Sequence, residues 1–222
     1  MWKLRLRRRL YARRVVGTAL QACWQMPLPY TGRDWRRVSF LVADAEMSSL
    51  DVNEGELLSV GWVCVEGGSI ALDSARHYLI QPDNSVGQSA TIHHLRDCEL
   101  TDADTRAEVL QRFLEVAAGK VLVFHNASLD MAYLNGVSRR EFNAPILMPV
   151  VDTLQQEHAM LQRREVPIQS GDLRLQACRD RYNLPPYPAH NALLDALATA
   201  ELLIAMAKHR GGGRDFSLGQ LL

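Results

Sequence analysis

The sequence predicts an α/β fold, a mixed sheet with helices packed on its faces. Two observations carry this: short apolar β-rich runs cluster early, and segments with helical spacing interleave with and then follow them.

The elements follow in order. Residues 1–37 hold ten Lys or Arg against one acid, Asp34, so this arm carries +9 in a chain of formal net charge zero. It reads as a basic helix broken near Pro27 and Pro29, able to attract a polyanion, to pack on the acidic body or to act in targeting. A cleaved signal is disfavoured, because Gly17, Thr18 and Gln21 break the apolar run after Arg13-Arg14.

Residues 38–43 are apolar and β-rich, a buried strand, and residues 51–55 supply a turn. Residues 57–65 and 71–80 are two further strands joined at Glu66-Gly67-Gly68-Ser69, a hairpin signal. Residues 83–104 are polar and irregular. Residues 105–118 have helical spacing, with Val109, Phe113, Leu114 and Ala117 as the apolar stripe. A short strand at 121–124 leads to a helix at 129–137 and a last strand at 149–151. Helices follow at 153–163, 172–182 and 191–208.

With 222 residues, 47% hydrophobic and 23% charged, the chain can bury the core of one domain with an appendage. It has no run of about 18 apolar residues, so no membrane partner is expected. Its four cysteines, Cys23, Cys64, Cys98 and Cys178, form no C-x-x-C pair. Reduced thiols and a cytoplasmic location are the expectation.

Two residues apart in a strand, Asp44 and Glu46 project from one face at the C-terminal edge, where open α/β sheets place ligands. Like charges held close repel unless a cation sits between them, and two oxygen donors suit a hard divalent ion. Asp130 follows the strand at 121–124 through His125-Asn126-Ala127, which brings a third carboxylate to the same edge. Asp195, flanked by Leu193, Leu194, Ala196 and Leu197, would cost several kcal/mol if buried unpaired. His190, after the stiff Pro185-Pro186-Tyr187-Pro188 segment, lies at or before that helix start and suits proton abstraction near neutrality.

These blocks, "DAEMSSLD", "VFHNASLDMAYL", "VDTL" and "HNALLDALATAELL", resemble in order and spacing the DEDDh 3′-5′ exonucleases, the family of the epsilon proofreading subunit of bacterial DNA polymerase III. The resemblance spans roughly residues 38–208. It implies a ribonuclease H-like sheet and does not cover the basic arm, so the expected organisation is an arm at 1–37, an exonuclease domain at 38–210 and a tail at 211–222. It also implies two Mg²⁺ or Mn²⁺ ions: Asp44, Glu46 and Asp195 on the first, Asp44 and Asp130 on the second, and His190 deprotonating the attacking water. Met47, His93 and Asn126 are implied at the substrate. Expected partners are single-stranded DNA or RNA 3′ ends and a polymerase or replication protein.

The first block departs from the family's D-x-E-T-T-G-L: Met47-Ser48-Ser49 removes a glycine and matches the D-x-E-M of oligoribonucleases. His94 stands where the family's I-H-G has glycine, and Leu129 where the second block has Phe. No implied ligand or base is lost. Two other readings stand beside the DNA exonuclease: an exoribonuclease of short RNA or RNA 3′ ends, and a catalytically weak nucleic-acid or polymerase-binding module.

Overall fold

A computed structural model describes residues 1–82, 103–188, 190–212 and 215–222. Its sheet contains β1 (Phe40–Met47), β2 (Leu57–Glu66), β3 (Ser69–Leu79), β4 (Val121–Phe124) and β5 (Val150–Asp152), in the order β3-β2-β1-β4-β5. β2 runs antiparallel to β1 and β3, while β1, β4 and β5 are parallel, which is the mixed sheet expected. The helices are α1 (Trp2–Tyr11), α2 (Ala19–Gln25), α3 (Arg106–Ala117), α4 (Ala127–Phe142), α5 (Thr153–Arg163), α6 (Leu175–Asp180) and α7 (Ala192–Gly211).

Local chemistry accounts for several boundaries. The β2–β3 hairpin turns on Gly67 and Gly68, both at positive φ, as a tight two-residue turn requires. Thr105 caps α3 in a reciprocal box with Glu108. β1 continues past residue 43, because Asp44 and Glu46 take up ladder positions opposite Gly61 and Ser59 of β2. Both acids therefore stand on the strand itself.

The sheet buries both faces. One presents Leu41, Ala43, Val60, Trp62, Leu122 and Phe124 to a layer containing Phe113 of α3 and Leu134 of α4. The other presents Phe40, Val42, Val63, Val121 and Val151 to Ala200, Leu203 and Ala207 of α7 and to Phe216, Leu218 and Leu221 near the C-terminus. Alternation along β1 puts Asp44 and Glu46 on this second face, beneath the start of α7.

The arm differs from the expected single helix. It breaks between α1 and α2, where Gly17 takes φ +80°. α2 buries Leu20 and Cys23, and the Cys23 thiol donates to the Leu114 carbonyl at 3.0 Å. α1 buries nothing, but Arg8 Nε donates to the Leu147 carbonyl at 2.8 Å. Leu147 precedes β5, so α1 lies at the N-terminal edge of the parallel strands, opposite the acids. No described helix is long and apolar enough to cross a membrane.

Candidate active site

The site forms where the sheet splits. Pairing between β1 and β4 ends at Val42 and Val123, and the chain leaves β4 after Phe124. Beyond that point the Ala45 N–H has lost its strand partner, and Asp130 Oδ1 accepts it at 3.1 Å. A first-turn residue of α4, from the opposite layer, is thereby tied between Asp44 and Glu46. The register shift between Glu46 and Met47 ends the regular ladder at the same place.

α7 supplies Asp195 from its first turn. Asn191 caps the helix by accepting from the Leu194 N–H, and Asp195 Oδ2 accepts from the backbone N–H groups of His190 at 2.9 Å and Asn191 at 3.3 Å. His190 is exposed and in the left-handed region, φ +67°. One oxygen each from Asp44, Glu46 and Asp195 lie within 4.8 Å of one another.

Burial and mutual repulsion dominate the electrostatics. Burial pushes the Asp44 carboxyl well above the usual range, and Asp130, Asp195 and Glu46 add to it. Asp130 rises to about 8, chiefly by burial, although backbone N–H donors including Ala45 oppose the rise. Asp195 is raised by burial and by Glu46, against the N–H groups of His190 and Asn191. Three oxygen donors around a buried carboxylate surrounded by carboxylates suit a hard divalent cation, whose charge removes the repulsion. The donor set therefore fits a metal ion of this class.

Residues 41–203 match the family described as Exonuclease, of the RNase T type. The chain belongs to this exonuclease family. It is 30% identical to the DNA polymerase III subunit epsilon of Treponema pallidum over 183 residues, covering 79% of this chain and 82% of that protein. To the PolC-type DNA polymerase III of Thermotoga maritima it is 28% identical over 167 residues, 75% of this chain. The match spans only 12% of that much longer protein. The fold is shared with a zinc-bound E. coli exonuclease I–ssDNA complex, at a TM-score of 0.66 and 14% identity over 80% of this chain and 42% of that one.

Of the residues expected in this exonuclease site, the structure brings together Asp44, Glu46 and Asp195, with Asp130 anchored on Ala45 and His190 at the start of α7. Asn126 precedes α4 at φ +76°, its N–H donating to Asp152 Oδ1 at 3.1 Å and its side-chain oxygen accepting from the Ser128 hydroxyl. Met47 is buried in the core on the face opposite Glu46. His93 lies outside the described residues.

Three supports of the candidate site were not singled out in the sequence. Asp152 accepts from the N–H groups of Asn126 and Ala127 at the start of α4, and from Leu154 at the start of α5. An Asp directly before a helix is a cap signal, so the "VDTL" block did carry the clue. Tyr133 donates to the Ser49 carbonyl at 2.8 Å and so closes the loop after Met47. Gly55 makes room for it, since a Cβ there would fall 2.0 Å from the Tyr133 hydroxyl.

The third support is Arg179, fully buried, whose guanidinium donates to Glu201 and to the Pro185 carbonyl, both at 2.7 Å. Tyr187 donates to the same Glu201 at 3.1 Å and lies against that guanidinium. The segment leading to His190 is thus clamped to α7. Nothing local in the sequence marks Arg179 for this.

Proposed function

We propose that the protein is a metal-dependent 3′-5′ exonuclease that shortens single-stranded or frayed DNA and releases nucleoside 5′-monophosphates, in repair or proofreading. The observation that carries this reading is the convergence of Asp44, Glu46 and Asp195 oxygens within 4.8 Å at the C-terminal end of β1. Membership of the exonuclease family supports it, and the names of the DNA polymerase III relatives favour DNA and a polymerase partner. The free thiols of Cys23, Cys64 and Cys178 accord with a cytoplasmic setting.

In this reading Asp44, Glu46 and Asp195 would hold one Mg²⁺ or Mn²⁺, with Asp44 and Asp130 serving a second. Bound there, the ions supply charge stabilisation for the attacking and leaving oxygens of an in-line phosphoryl displacement. The chain's own residues do the rest. His190, on a solvent-exposed turn, takes the proton of the attacking water on a ring nitrogen. Asp195 fixes that turn by accepting the His190 backbone N–H. Asp130 holds the β1 backbone at Ala45, which sets the directions of Asp44 and Glu46. Residues 38–210 carry these steps, with 1–37 and 211–222 as arm and tail. Asn126, just after β4, would contact the terminal nucleotide.

Matched DNA and RNA oligonucleotides, labelled at the 5′ end and incubated with Mg²⁺ or Mn²⁺, test the substrate class. DNA shortened faster than RNA of the same sequence supports the reading. Faster shortening of RNA would replace it with the exoribonuclease.

A further inference from the structure

Gly61 lies directly opposite Asp44 in the β1–β2 pair and opposite His77 in the β2–β3 pair. Its backbone φ is not positive, so no turn or left-handed conformation calls for a glycine here. The reason is steric. A Cβ at Gly61 would fall 2.2 Å from the backbone nitrogen of Leu193, 2.4 Å from the Ala192 carbonyl carbon and 2.5 Å from Leu193 Cα. These are backbone atoms of the first turn of α7, which cannot rotate aside as a flexible side chain would.

α7 therefore rests on the bare backbone of β2. Its sheet-facing residues continue the close approach, with Ala200 and Ala207 fully buried beside Val42 and Val63. Asp195 stands two residues beyond Leu193, and its carboxylate is bound to the His190 and Asn191 N–H groups. Helix start, carboxylate and His190 turn consequently move as one piece.

We infer that Gly61 is a positioning residue of the metal site: its missing side chain sets how close Asp195 comes to Asp44 and Glu46. The inference rests on the functional reading above. Relieving the contact that a single methyl would create requires α7 to lift by about 1 Å, whereas coordination sites tolerate roughly half that. A methyl at position 61 thus separates Asp195 from the other two ligands without touching any of the three.

The test is Mn²⁺ binding to the full chain by titration calorimetry, with circular dichroism and melting followed in parallel. Gly61→Ala is expected to keep its secondary structure and bind Mn²⁺ at least tenfold more weakly. Val65→Ala, a core loss at the other end of β2, is expected to lower the melting temperature and bind as wild type does. Asp195→Glu should weaken binding in the wild type and restore part of it in Gly61→Ala, where the longer arm spans the gap. A merely structural role would not produce that reversal.

Gly61→Ala binding within twofold of wild type overturns the inference. Should Gly61→Ala fail to fold, Ala200→Val lifts the same helix from the same face, and unchanged Mn²⁺ affinity there overturns it equally. If wild type binds no more Mn²⁺ than Asp44→Ala does, the functional reading itself fails and takes the role of Gly61 with it.

Discussion

Asp130 accepts the backbone N–H of Ala45 at 3.1 Å, linking the first turn of α4 to the residue between Asp44 and Glu46. This bond joins two sequence blocks 85 residues apart and closes the gap left where β4 departs from β1. The same carboxylate is both a sheet cap and a charge near the proposed metal site.

The two roles separate in Asp130→Asn. The amide oxygen can still accept from Ala45, while the charge is gone. Hydrolysis is expected to fall at least 100-fold with the fold retained, and the metal-free variant should melt higher than wild type at pH 8. A lower melting temperature would mean that the charge itself holds the loop.

Stability should depend on pH and metal together. Unfolded, Asp130 titrates near 3.8, and folded it titrates at about 8. Between those values the folded state keeps a proton that the unfolded state has lost. Its contribution is therefore fully present below about pH 4 and is lost as pH rises towards 8. Asp44 and Asp195, also raised, act in the same direction. Melting curves in chelator should fall across this window, and Mg²⁺ or Mn²⁺ should raise the melting temperature more at pH 8 than at pH 5. A metal increment independent of pH would contradict this electrostatic picture.

Much of the site was legible because its chemistry is written locally. Asp44 and Glu46 announce themselves by alternation in a strand, and Asp195 by a charge in an apolar helix turn. Where β1 ends was not legible, since the register shift between Glu46 and Met47 that ends its regular ladder depends on pairing with another strand. The break of the arm near Gly17 was missed for a related reason: Leu20 and Cys23 fix α2 by packing into the distant core beside Leu114. Gly61 and Arg179 have no local signature at all, because each is explained by contact with α7, more than a hundred residues from Gly61.

Asp152 gathers the starts of two helices on one carboxylate. Asp152→Ala should cost about 1–3 kcal/mol of stability through the lost caps and reduce turnover by loosening the turn that carries Asp130. Chemical denaturation gives the first quantity and hydrolysis at saturating substrate the second. Full turnover at reduced stability would show that α4 is held from elsewhere.

The exposed Arg5, Arg7 and Arg9 of α1 sit at the sheet edge opposite the acids, beside the contact that Arg8 makes with Leu147. Replacing all three with Gln should leave hydrolysis of a trinucleotide unchanged within twofold. On long single strands the variant should bind more weakly, with a salt dependence shallower by roughly 2 in log–log slope. An unchanged slope would place these arginines off the nucleic-acid path.

In the proposed function the carboxylates on β1 and α7 hold metal for cleavage at a 3′ end. Product analysis of a 5′-labelled single-stranded DNA tests this, with wild type and folded Asp195→Ala each treated with Mg²⁺ or with chelator. A ladder shortening one nucleotide at a time from the 3′ end, with nucleoside 5′-monophosphate released and both chelator and Asp195→Ala abolishing it, is the predicted result. Equal cleavage by Asp195→Ala, or cleavage that persists in chelator, would contradict it.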